Sequence, residues 1–146
     1  MTDFRHRTRL DVRFRDIDAF GHVNNAVFSS YLEHARIGYL LDALESQRFD
    51  RLPLILARVE LDYRAPILFG DPIEVLTRID WIGRSSIAMS HELHAAERLA
   101  AQASTVLVTY DYEIAKPMPV PDDWRRRFAA VEGRSLERPV PAGSAT

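Results

Sequence analysis

The hydrophobic period of this chain changes near Pro53, and few folds accommodate that change. Before it, Phe28, Leu32, Ala35, Tyr39 and Ala43 recur at spacings of three and four, the stripe of an α-helix. Ile37, Leu40, Leu41 and Leu44 lay a second stripe beside the first. Glu33, Arg36, Asp42 and Glu45 form a narrow polar face. A helix apolar around so much of its circumference must be wrapped on most sides. At about 1.5 Å per residue, Ser29 to Glu45 spans about 25 Å. Its start carries competing signals: Asn24 or Asn25 as N-cap, or a capping box of Ser30 with Glu33.

After Pro53 the period falls to two and stays there. Ile55, Ala57, Val59, Leu61 and Tyr63 alternate with charged residues, and Ile73, Val75, Thr77, Ile79 and Trp81 line one face of the next run. Ser86 to Ala95 and Leu99 to Tyr112 read as two further strands. Turns are expected at Phe69–Pro72, Gly83–Arg84 and Glu97–Arg98. Ahead of the helix, Leu10, Val12 and Phe14 alternate with Arg9, Asp11, Arg13 and Arg15 and predict a first strand. A helix over Asp122 to Val131, capped by Asp122, follows the prolines at 117, 119 and 121.

One strand, one wrapped helix and four consecutive antiparallel strands make an α+β fold: a five-stranded antiparallel sheet curled around a single long helix, the hot-dog architecture. Residues 1–132 are expected to form this one domain, with 133–146 as a disordered tail. Such a sheet leaves an edge and a face uncovered, so pairing with a second copy is expected.

Composition removes several classes of function. With 19 Lys and Arg against 21 Asp and Glu, the net charge of -2 offers no footprint for nucleic acid or an anionic membrane. The absence of cysteine removes disulfides, thiolate zinc sites and a cysteine nucleophile. The charged N-terminus is unlike a signal peptide, and no apolar run reaches the ~20 residues of a membrane span. A cytoplasmic location is expected.

Chemistry concentrates in Asp16-Ile17-Asp18-Ala19-Phe20-Gly21-His22-Val23-Asn24-Asn25, which ends where the helix begins. N–H groups in a helix's first turn have no partner within the helix and lie at its positive dipole end. They suit a carbonyl oxygen that becomes an oxyanion during attack. A carboxylate beside them attacks that carbonyl or activates a water. An Asp ahead of a helix also serves as a cap or turn former, and His22 reads either as a loop-shaping hydrogen-bonder or as a residue that orients substrate. Glu33 either closes the capping box or supports catalysis. His91 and His94 fall on opposite faces of one strand and form no metal pair.

The pattern D-x-D-x-x-G-H-V-N-N, followed by an aromatic at Phe28 and by Glu33 and Arg36, resembles the 4-hydroxybenzoyl-CoA thioesterase-like family. It is also similar, more distantly, to the plant acyl-acyl-carrier-protein thioesterases. The resemblance spans about Leu10 to Pro121. It implies an acyl-CoA thioesterase with Asp18 as catalytic base or nucleophile, the Asn25 backbone N–H on the thioester carbonyl, and His22 and Glu33 as further site residues. It places the nucleotide part of coenzyme A against the turn that carries Arg84, Ser85 and Ser86. It implies no metal and no separate cofactor, a site between two subunits, and a homodimer or homotetramer.

Two positions depart from the pattern. Phe28 stands where the family carries Tyr, and Phe20 where the plant enzymes carry a catalytic Asn. Two rival functions follow from the same fold. Hot-dog hydratases pair Asp and His in D-x-N-P-x-H, five residues apart, whereas Asp18 and His22 are four apart with no Asn-Pro between them. A non-catalytic acyl-CoA-binding protein would keep the fold but not need Asp18.

Overall fold

The computed structural model describes residues 3–46, 48, 50 and 52–139. Among them the order is β1 (His6–Asp11), α1 (Asn25–Ala43), β2 (Leu54–Tyr63), β3 (Pro72–Ile82), β4 (Ser86–Ala95), β5 (Arg98–Asp111), β6 (Lys116–Pro117) and α2 (Asp122–Glu132). The sheet is antiparallel with path β1-β3-β4-β5-β2; the two-residue β6 pairs with β5 off that path. The expected five-stranded sheet and long helix are therefore present, with β6 as an addition.

α1 buries Phe28, Leu32 and Ala35 against Val75, Leu93 and Ala101 at one end of the sheet. Tyr39 and Leu40 do the same against Ile79, Met89 and Leu107 at the other, where Phe128 of α2 closes the core. Between the two clusters runs a buried polar row. His91 Nδ1 lies 3.3 Å from Thr77 Oγ1 and its Nε2 3.2 Å from Thr105 Oγ1.

Several local expectations are corrected. The first strand begins at His6 and ends at Asp11, so Phe14 leaves the sheet and is 83% exposed. A short 3₁₀ turn over Phe14–Asp16 takes its place, because the Asp16 carboxylate accepts the Arg13 N–H at 2.9 Å and curls the chain. α1 starts at Asn25 with Asn24 as its cap, so Ser30 and Glu33 lie within the helix and form no capping box. Arg36, assigned to the polar face, is only 5% exposed. Burial lowers its pKa, with the ion pair to Glu33 at 3.8 Å acting in the opposite sense.

Two bulges break the predicted alternation. Ala57 is extra in β2, between the Leu56–Leu107 and Arg58–Val106 pairs. Asp80 is extra in β3, so Ile82 rather than Trp81 returns to the core. The β4–β5 turn sits one residue early, at Ala96 and Glu97, both with positive φ (48° and 69°), the two-residue hairpin geometry. The N-cap of α2 is Pro121, and Asp122 is the first helical residue.

Residues 133–139, expected to belong to the disordered tail, are tied to the sheet at a few points. Leu136 is buried, its carbonyl accepts the Ile82 N–H at 2.6 Å, and Arg138 stacks over Trp81 at 4.5 Å. Residues 140–146 lie outside the described residues.

Candidate active site

The ten-residue string folds into a closed excursion between β1 and α1. Asp16 is its foundation. Its buried Oδ2 accepts both the Arg13 N–H at 2.9 Å and the Tyr31 hydroxyl at 2.7 Å, tying the loop to α1. Burial, then the bond to Asp16, pushes the Tyr31 hydroxyl well above the usual phenol range. Ile17 bridges to Val23, and the Asp18 N–H donates to the His22 carbonyl at 3.0 Å. The turn closes through the Gly21 N–H on the Asp18 carbonyl, also 3.0 Å. Gly21 has φ 87° with open space around it, so backbone conformation and not crowding calls for glycine there. The Val23 N–H reaches the Ile67 carbonyl at 2.8 Å, and the Asn24 N–H returns to the Asp16 carbonyl at 2.9 Å.

This closure leaves two groups available. Asp18 Oδ1 accepts the Phe20 N–H at 2.9 Å, while Oδ2 has no hydrogen bond among the described residues. At the start of α1, Ala26 donates to the Asn24 side chain and Val27 to the Asn24 carbonyl, each at 2.9 Å. The Asn25 N–H has no acceptor among the described residues. Asn25 lines an open pocket of about 250 Å³ together with His22, Phe28, Tyr63, Ala65 and Pro66, among others. Such a donor, at the positive end of a nineteen-residue helix, is placed to stabilise negative charge on oxygen.

Two links connect three of the expected residues, and Asp18 itself does not line the pocket. Asp18 and His22 are joined through their backbones, and His22 shares the pocket with Asn25. The His22 ring stacks on the exposed ring of Phe20 at 6.2 Å. Glu33 is not gathered with them. It lies eight residues beyond Asn25, about 12 Å along the helix, and is the exposed counter-charge to Arg36.

Arg84, Ser85 and Ser86 lie elsewhere again. Asp11, which leads into the site loop, pairs with Pro72 at the start of β3. Arg84 follows the far end of that strand, roughly 30 Å away at ~3.3 Å per residue. The turn is anchored by its backbone: the Ser85 carbonyl accepts the Thr109 N–H and the Arg84 carbonyl accepts the Val120 N–H, each at 2.8 Å. The Arg84 side chain is exposed.

His91 is buried and neutral, its pKa pulled down to about 3 by burial first and by Arg36 second. His94 pairs with Glu92 at 3.0 Å on the other face. Among the described residues no three His, Asp or Glu side chains are grouped to hold a metal ion, and no helix is long and apolar enough to cross a membrane.

From the sequence, Tyr63 is expected with Phe28 and Tyr31 to set pocket depth, but its tie to the helix start is missed. Its hydroxyl donates to the Asn25 carbonyl at 2.9 Å, and its ring meets Phe28 edge-on at 5.0 Å.

Known proteins resemble this chain. The fold is similar to that of a thioesterase from Thermus thermophilus, solved in complex with coenzyme A and zinc. That match has a TM-score of 0.85 and 44% identity, covering 93% of this chain and all of that one. The long-chain acyl-CoA thioesterase FadM of Escherichia coli K12 is 22% identical over 126 residues, 84% of this chain and 96% of FadM. The chloroplastic acyl-acyl carrier protein thioesterase ATL3 of Arabidopsis thaliana is 27% identical over 134 residues, 88% of this chain and 69% of ATL3. The model of the thioesterase-like superfamily matches residues 12–128, most of the folded chain, and the protein belongs to that superfamily.

Proposed function

We propose that the protein hydrolyses an acyl-CoA thioester to a carboxylate and free coenzyme A, with Asp18 as the reacting carboxylate. The observation that carries this reading is the Asn25 N–H at the start of α1, without an acceptor among the described residues, in a residue that lines a pocket with His22 of the Asp18 loop. The thioester carbonyl oxygen accepts that N–H. Asp18 either attacks the carbonyl carbon or takes a proton from an attacking water. In both routes the C–S bond breaks, coenzyme A leaves as a thiolate that takes up a proton, and water supplies the second oxygen of the product acid. His22 orients the acyl group from the pocket wall. A thioesterase holding coenzyme A is among the similar solved structures, and Phe20 in place of the plant enzymes' catalytic Asn favours coenzyme A over a carrier protein.

The Asp18 loop leaves β1 beside one end of β3 and Arg84 follows the other, a strand roughly 30 Å long, so the reading calls for two chains. β2 is an edge strand, with Leu56, Val59 and Tyr63 left 43–47% exposed. Such an edge is covered by a second copy of itself. Antiparallel pairing about a two-fold axis sets the Leu54 end of one β2 beside the Tyr63 end of the other. The Arg84 turn of one chain then lies toward the Asp18 loop of its partner, where it binds the nucleotide phosphates.

The test is a thiol-release screen across acyl-CoA chain lengths, with light scattering at micromolar protein. Turnover of at least one thioester and a mass of twice or four times 16.7 kDa are expected. No turnover on any thioester refutes the activity; a monomeric mass refutes the two-chain site.

A further inference from the structure

Helix ends fray first, because their terminal turns lack hydrogen bonds on one side. The proposed oxyanion donor sits in such a turn, with Asn24, Asn25 and Ala26 all exposed. A donor helps catalysis only when it is already aimed, so the question is what holds this turn.

The peptide groups give an answer. The Asn24 carbonyl accepts the Val27 N–H, fixing the peptide whose other end is the free Asn25 N–H. The next peptide, between Asn25 and Ala26, is tied at both ends: its N–H to the Asn24 side chain and its carbonyl to the Tyr63 hydroxyl. Of these ties only the last comes from outside the helix start. Tyr63 is itself held firmly. Its backbone pairs with Ala101 in β5, and the Arg64 N–H that follows donates to the Ala100 carbonyl at 2.7 Å. Its ring abuts the fully buried Phe28. A strand thus grips the first turn of the helix through one hydroxyl.

Building on the thioesterase reading, we propose that Tyr63 is a positioning residue: its hydroxyl clamps the Asn25–Ala26 peptide so that the Asn25 N–H stays aimed into the pocket, while its ring closes the pocket wall with Phe28. The two parts of the side chain have separable effects. Tyr63→Phe removes the clamp and keeps the wall; Tyr63→Ala removes both.

Steady-state kinetics on the best acyl-CoA substrate, with amide hydrogen exchange across residues 26–28, test this. Tyr63→Phe is expected to lower kcat about tenfold, the upper range for one neutral hydrogen bond, with KM within about twofold. Exchange at Ala26 to Phe28 should quicken by a similar factor while β3 and β4 stay protected. Tyr63→Ala should raise KM as well. Wild-type kcat in Tyr63→Phe overturns the proposal, as does faster exchange throughout the sheet, the mark of a merely structural role. Should the wild type hydrolyse no acyl-CoA, the thioesterase reading fails by itself, and unchanged exchange in Tyr63→Phe separately overturns the clamp.

Discussion

Buried between Thr77 and Thr105, His91 has its pKa lowered to about 3 by desolvation and, secondarily, by Arg36. In the unfolded chain the imidazole returns to its reference value of about 6.5. Between those values the unfolded chain carries one proton more than the native one. Stability therefore falls as the pH falls, by roughly 1.4 kcal/mol per unit, starting near pH 6.5 and continuing to about pH 3. From pH 7 to 5 the loss is about 2 kcal/mol, a sizeable part of the ~5–15 kcal/mol that holds a domain together. The assay is urea unfolding of the wild type and His91→Gln at pH 7, 6 and 5. A Gln amide still offers one acceptor and one donor to the two threonines but does not titrate. The wild type should lose about 2 kcal/mol more than the variant over this range. Parallel pH dependence in the two proteins would refute a buried neutral imidazole.

Two further perturbations probe the sheet and the nucleotide turn. Glu132 is buried where β3 bulges, accepting the Ile79 N–H at 3.0 Å and the Tyr39 hydroxyl. Glu132→Ala strands both donors and should cost about 2–6 kcal/mol in urea unfolding, at ~1–3 kcal/mol for each unpaired buried group; a loss below about 1 kcal/mol contradicts that accounting. Arg84→Ala should raise KM for acyl-CoA with kcat nearly intact, most clearly at low salt. An unchanged KM at low salt returns Arg84 to the solvated surface.

What could be read ahead of the structure depended on how local its causes are. β4 runs Ser86–Ala95 as expected because its alternation is unbroken. The β3 face holds through Ile79 and then fails at Asp80, beside an Ile79 N–H held by Glu132, 53 residues along the chain from Ile79. Arg36 is charged and lies one turn from Glu33, so it reads as part of the polar face, whereas it is buried in a groove with Leu40, Leu54 and Leu107. The start of α1 stayed ambiguous because Ser30 with Glu33 is locally as good a signal as Asn24. Contacts from Asp16 and Ile67 decide it.

The same distinction governs the site. Its loop was legible because Asp18 bonds to Phe20 and His22, close neighbours in the chain. Tyr63 meets Asn25 across 38 residues, a contact that only the sheet creates. Arg84 lies in the β3–β4 turn expected from the sequence, at the end of β3 away from the Asp11–Pro72 pair.

Whether Asp18 works through its charge is decided by the turnover of Asp18→Asn on the best acyl-CoA substrate, measured beside Asp16→Asn. Both donors to Asp16 converge on one oxygen, Oδ2, which an Asn can reproduce. In Asp18→Asn the bond from Phe20 survives while the charge is lost. A general base at Asp18 requires kcat to fall by ~10²–10⁴ in Asp18→Asn, with near-normal folding and a far smaller loss for Asp16→Asn. Wild-type turnover in Asp18→Asn would contradict that assignment.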